Sequence, residues 1–342
     1  PAALAPAALA QEAAAPAPAP AAPPAASALA PSGRLQRVLV NVQNDQSLDE
    51  EVKFWTEACG MKVLRDAAGD DGRRACVVGY GPESPKEGGF FAFELKVDPG
   101  LAKRKRPRLL NYDIMQPTVN ALNFVQLGVK GKIIDIFGRV QRSGGSSLIG
   151  DASYLDAESP RGVAVRLVPR DTTPSVELVS FNIEVPAFDD VKKFYQRALG
   201  FKELTYSDAE PPVQKFSAYY GSDLGGPNLL LSPVPDGRMK ERNLDEFDGV
   251  LVTTPDFESV TKAAEIAVAK AEREQAEKVE EFKRRRRSAK AAGDEVADLS
   301  VFLEGTRASP SINVVEKTAR LNDGVANILF VTDKADFERQ LS

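Results

Sequence analysis

The stretch Phe54-Trp55-Thr56-Glu57-Ala58-Cys59-Gly60-Met61 decides the fold, because its aromatic pair and glycine return as Phe194-Tyr195 and Gly200-Phe201. Further on, Tyr80-Gly81 returns as Tyr220-Gly221, and 194 − 54, 200 − 60 and 220 − 80 all give 140. Three markers holding one spacing predict two copies of one structural module. A paired module builds a cleft where its copies face each other, so function is sought there.

Around the first marker the order of elements is legible. Leu35 to Val42 alternates as a strand, apolar at Val38, Val40 and Val42. Ser47 with Glu50 reads as a capping box opening a helix, which Gly60 stops. Strands are expected over Met61 to Arg65, Ala75 to Tyr80, Phe90 to Val97, Asn123 to Val129 and Gly162 to Val168, with a short helix over Ile133 to Phe137. The second copy repeats the plan, with strands over Val176 to Val185, Lys202 to Thr205, Lys215 to Tyr220, Asn228 to Ser232, Val250 to Thr254 and Gly324 to Val331, and a helix over Phe188 to Leu199. The boundaries are a leader over 1–33, a first module over 34–172 and a second over 173–342, with a helical insertion at about 258–297.

The leader is nearly all Ala and Pro, which breaks helices and offers no core, so it reads as an extended tail. Its composition suits the processed end of a plastid protein. The insertion is rich in Ala, Glu, Lys and Arg, with Glu274 and Lys278, and Glu280 and Arg284, at helical spacing. Its run Lys283, Arg284, Arg285, Arg286, Arg287 is the candidate partner-binding surface, against the plainer reading of a solvated basic helix end.

Composition narrows the chemistry further. The 342 residues carry 44 basic and 49 acidic side chains, net −5, which argues against nucleic acid as a partner. No histidine occurs, which removes the commonest general base and transition-metal ligand. The two cysteines, Cys59 and Cys76, form no metal-ligand pattern and read as small buried apolar residues, a disulfide between them staying open. No apolar run is long and unbroken enough to span a bilayer, so any membrane association is expected to be peripheral, through a complex.

The strings Gly60-Met61-Lys62-Val63-Leu64-Arg65, Val78-Gly79-Tyr80-Gly81-Pro82-Glu83 and Phe93-Glu94-Leu95 resemble the first module of glyoxalase I (lactoylglutathione lyase) and the wider vicinal oxygen chelate superfamily. The resemblance implies an α+β fold of two tandem βαβββ-type modules forming curled mixed sheets around a shared cleft, with a long inserted helix in the second. It also implies a divalent metal held by His, Gln and Glu, acting as a Lewis acid on a hemithioacetal of glutathione and methylglyoxal.

Counted from the aromatic pair, the family's ligand positions fall on Val40, Glu94, Phe124 and Arg166, and in the second copy on Ser180, about Leu230, about Gly249 and Ile328. Only Glu94 matches; Gln126 lies two residues from Phe124 on the same strand face. An arginine brings charge and no acceptor, so Arg166 is expected to pair with Glu94 and no metal or other cofactor is expected. The ligand-binding cleft is thus read as Val40, Glu94, Phe124, Gln126, Arg166 and Ser180, with no catalytic residue beyond the family match at Glu94. The function read from this is a non-catalytic structural or auxiliary subunit of a larger protein complex, in the plastid and associated with a photosystem. The alternatives are a protein that sequesters a small organic anion against Arg166, and a metal-dependent lactoylglutathione lyase-type enzyme.

Overall fold

In the computed structural model the described residues are 33–68, 72–84, 90–103, 122–205, 217–235, 247–292, 311–315, 318–322 and 328–341. The Ala/Pro stretch over 1–32 and the insertion's end at 293–297 lie outside them.

The marker stretch sits at the end of the first helix. Strand β1 (Arg34–Val42) leads into α1 (Asp45–Lys53), which continues through a π-helical turn, Phe54–Ala58. Its N-cap is Asn44, three residues before the expected cap, because the Asn44 side chain already accepts the Ser47 N–H at 2.9 Å. Ser47 is instead buried in the first turn. Gly60, at φ +77°, ends the helix in a conformation that suits glycine. The wide turn places the neighbouring Phe54 and Trp55 both in the core, where Trp55 stacks on Phe93 with ring centroids 4.1 Å apart. Phe54 also needs Gly145 opposite it, since a Cβ there would meet the ring at 2.4 Å.

The first unit is completed by β2 (Lys62–Ala68), β3 (Arg74–Gly79) and β4 (Ala92–Val97). A second unit follows within the same half of the chain: β5 (Leu122–Val129), α2 (Ile133–Arg142), β6 (Ser146–Gly150), β7 (Leu155–Glu158) and β8 (Ala164–Pro169). The third is β9 (Ser175–Glu184), α3 (Val185–Leu199), β10 (Lys202–Glu203), β11 (Ala218–Gly221) and β12 (Asn228–Val234). The fourth is β13 (Phe247–Thr254), α4 (Phe257–Ala292), β14 (Ser311–Val315), β15 (Thr318–Asn322) and β16 (Ile328–Asp333), closed by α5 (Lys334–Leu341). Each half of the repeat therefore holds two βαβββ units.

The units pair across the halves. One mixed sheet runs β14-β15-β16-β13-β1-β4-β3-β2 and joins the first unit to the fourth; the other runs β10-β11-β12-β9-β5-β8-β7-β6 and joins the third to the second. The α+β class, the open mixed sheets and the long helix of the C-terminal part are as the sequence reading expects. Sequestered between the sheets, one continuous core takes Val38, Val40 and Val42 of β1, Val179, Phe181 and Ile183 of β9, and apolar residues of α1 to α4. Phe181 and Phe247 meet there, 5.9 Å apart. Both cysteines are buried and free, and burial pushes the Cys76 thiol up to about 11.

Two tyrosines related by the repeat differ in one bond. The Tyr80 hydroxyl donates to the Cys59 carbonyl at 2.9 Å. The corresponding Leu199 carbonyl accepts the Gly33 N–H at 2.7 Å instead, and the buried Tyr220 hydroxyl has no hydrogen-bond partner among the described residues.

Candidate functional site

Strand alternation fixes which side chains leave the core. On β1 the helix-facing set is Val38, Val40 and Val42, so Arg37 and Leu39 point to the opposite face. On β9 the helix-facing set is Val179, Phe181 and Ile183, which leaves Leu178, Ser180 and Asn182 on the outer face. The counterpart of Ser180 is thus Leu39, and 180 − 39 gives 141, one more than the offset of the helices. That single residue reverses the assignment of Val40, which is 1% exposed in the core and lines no cleft.

Registers then sort the remaining positions. Leu39 lies beside Glu94 on β4 and beside Gly249 on β13, and the pair Val250 and Leu329 sets Ile328 at the same level on β16. These four form one row across the first sheet. On the second sheet Phe124 lies opposite Ser180, Ser180 opposite Leu230, and Gln126 opposite Arg166. Of the six predicted cleft residues, the fold brings together Phe124, Gln126, Arg166 and Ser180, while Glu94 stands on the other sheet.

On the first sheet Glu94 accepts Nη1 of Arg37 at 2.7 Å. The same guanidinium grips Glu83 through Nε at 2.5 Å and Nη2 at 2.7 Å, and Phe337 of α5 lies 4.9 Å over it. Arg37 is 4% exposed. Burial alone would lower its pKa, but the bonds and charges of Glu83 and Glu94 outweigh that and raise it. Arg37 and Glu83 are 46 residues apart and went unread in the sequence; an arginine inside an alternating apolar strand is the one signal that marks the pair.

On the second sheet Arg166 pairs with Asp156, not Glu94. Its Nε and Nη2 donate to the two carboxylate oxygens at 2.8 and 2.9 Å, with the rings of Phe124 and Tyr154 4.5 and 4.6 Å away. The reason is topological: Asp156 is the β7 residue directly opposite Arg166, whereas Glu94 lies in a different sheet. Sequence reading missed Asp156 because it missed the β6 to β7 hairpin. Gln126 donates to Glu177 at 2.9 Å, and Arg170 holds the same carboxylate at 2.7 and 2.8 Å. Asn123 donates to Ser180 at 3.2 Å, and the Ser180 and Ser232 hydroxyls lie 3.4 Å apart. Phe124, Ala164, Leu178 and Leu230 form a small apolar cluster on this face, separate from the main core.

Neither row fits a divalent metal. A divalent ion takes several lone-pair donors, and the first row offers only the Glu94 carboxylate, which Arg37 already binds. The second row offers the Ser180 hydroxyl between Phe124 and Leu230, whose side chains bring no donor. Among the described residues no group of three or more His, Cys, Asp or Glu side chains could hold a metal ion.

No family model matches this chain. A protein named as a probable lactoylglutathione lyase, chloroplastic, from Arabidopsis thaliana is 28% identical over 182 residues, 51% of this chain and 47% of that protein. A lactoylglutathione lyase from Oryza sativa subsp. japonica is 28% identical over 183 residues, covering 52% and 58%. The chain spans about half the length of the curated relatives it matches. Its fold is similar to the crystal structure of glyoxalase I from Zea mays, with a TM-score of 0.58 at 20% identity over 91% of this chain and 95% of that one. A point variant of the maize protein gives 0.59, also at 20% identity, over 91% and 97%. In sequence the chain is similar to proteins named lactoylglutathione lyase, and in fold to glyoxalase I.

Proposed function

We propose that this glyoxalase I-like chain works by binding, as a structural or auxiliary subunit of a larger assembly, and not by metal-dependent turnover. The observation that carries the reading is the fate of Glu94, the one side chain matching the family's ligand set: it is bound by Arg37, which also holds Glu83. A metal there would have to displace a guanidinium from two carboxylates, and the other positions of the row, Leu39 and Gly249, bring no donor side chain. A plastid setting and association with a photosystem complex belong to the same proposal. The Ala/Pro composition of 1–33 and the chloroplastic relative from Arabidopsis thaliana support the plastid part.

A second reading, a lactoylglutathione lyase-type enzyme, is favoured by the names of both curated relatives. The organic-anion reading is weakened by Asp156, because an anion would compete with a bidentate, buried carboxylate for Arg166. Metal analysis of the purified protein, with a lactoylglutathione assay in added zinc or nickel, separates the first two readings. We expect neither stoichiometric metal nor turnover; bound metal with turnover that is lost in Glu94→Gln would establish the lyase.

A further inference from the structure

The long helix α4 carries a charge pattern that the sheet faces do not explain. It is 36 residues, about 54 Å of helix. Its start packs on the core: Val260 and Ala264 are fully buried and Ala267 packs against the main cluster, whereas Ile266 is 61% exposed. Beyond Ala269 the described side chains are exposed, apart from partial burial of Val279, Phe282 and Lys283. Along this stretch each exposed ion pair within the helix contributes little by itself.

The charges divide into two blocks about Phe282. On its N-terminal side Glu272, Glu274, Glu277, Glu280 and Glu281 stand against Arg273 and Lys278, a net of −3. On its C-terminal side Lys283, Arg284, Arg285, Arg286, Arg287 and Lys290 meet no acid up to Ala292, a net of +6. Within the helix Lys283 bonds Glu280 at 2.6 Å and Arg285 bonds Glu281 at 2.5 Å. Arg284, Arg286 and Arg287 are exposed and make no ion pair with the described residues. Acid then base along one helix is self-complementary: turned end over end about Phe282, the acidic block of one copy lies on the basic block of another. Val279 and Phe282, three residues apart on one side, lie at the centre of that overlap.

We infer that α4 is a docking element for a second copy of this chain, two α4 helices lying antiparallel about Phe282 so that each acidic block meets the partner copy's basic block. The arrangement is a two-fold, isologous contact, and antiparallel helix dipoles add to it. It holds whether the sheet faces bind passively or turn over substrate. Block complementarity also tolerates a shift of one helical turn, which a set of single matched pairs would not.

Sedimentation velocity of the full chain tests this, at rising protein concentration and in low and high salt. The wild type forms a dimer that weakens as salt screens the blocks from about 0.05 M to about 0.5 M. A chain with Arg284→Glu and Arg287→Glu dimerises at least about tenfold more weakly, as does one with Glu277→Arg and Glu280→Arg. Mixing the two variants restores a dimer containing one copy of each, because positions 284 and 287 of one copy again meet the opposite charge at positions 280 and 277 of the other. Unchanged circular dichroism of each variant confirms that the helix is kept. A wild type that stays monomeric, a reversed variant that dimerises like the wild type, or a mixture that fails to pair would each overturn the inference. A monomer that binds heparin would overturn the inference and assign the basic block to a polyanionic surface instead.

Discussion

The two sheets carry the same device in unequal form. On the outer face of each sheet a buried arginine grips a carboxylate, and aromatic rings cover its guanidinium. On the first sheet Arg37 balances two carboxylates, Glu83 and Glu94, leaving that cluster one negative charge in excess. On the second, Arg166 forks onto the single carboxylate of Asp156. Each face holds a guanidinium, but only on the first does its removal leave two acids facing each other.

That inequality predicts the largest effect. Replacing Arg37 by Met leaves the buried Glu83 and the partly buried Glu94 without a countercharge and is expected to cost about 5 kcal/mol, read by urea unfolding. Replacing Arg166 by Met removes the bidentate partner of the buried Asp156 carboxylate and should cost about 3 kcal/mol, with most of it regained when Asp156 is changed to Leu in the same chain. Equal losses from the two single variants would break the comparison.

Glu51 probes the junction of the first two units. Its carboxylate is fully buried and accepts the Trp55 indole N–H at 2.8 Å, the Ser159 hydroxyl at 2.8 Å and the Arg161 backbone N–H at 2.6 Å. Burial raises its pKa above the ordinary 4.5, against the lowering effect of those bonds. A raised folded-state value means that the folded protein holds the proton more tightly than the unfolded chain. The stability from this group is therefore complete below the ordinary carboxylate value and is lost as pH rises through the folded one. Unfolding curves across that window should show the decline in the wild type and lack this component in Glu51→Gln.

The smallest effect compares the first unit with the third. Tyr80→Phe removes the bond to the Cys59 carbonyl and should cost about 1 kcal/mol. Tyr220→Phe removes a buried hydroxyl without a hydrogen-bond partner and should be neutral or stabilising by thermal unfolding.

How much of this was legible follows from particular residues. The aromatic pair and glycine were readable because a helix end leaves a local signature, and they identified the related first and third units. The second unit was not separable from the first, because α2 has no such pair: its Phe137 is 42% exposed, and it ends at Ser143 and Gly144 without an inward aromatic. Site geometry was harder still. The offset between the strands differs by one residue from that between the helices, which put Val40 on the wrong face. The partnership of Arg166 with Asp156 required the β6 to β7 hairpin, and that of Arg37 with Glu83 and Glu94 required the parallel pairing of β1 with β4. Long-range pairing of this kind leaves no trace in local periodicity.

The central claim is that Arg37 has replaced a metal at the one inherited acid, Glu94. Calorimetric titration of the purified chain with zinc and with nickel tests it directly. The account predicts no saturable one-to-one binding with either ion. Stoichiometric binding that disappears in Glu94→Gln would contradict it.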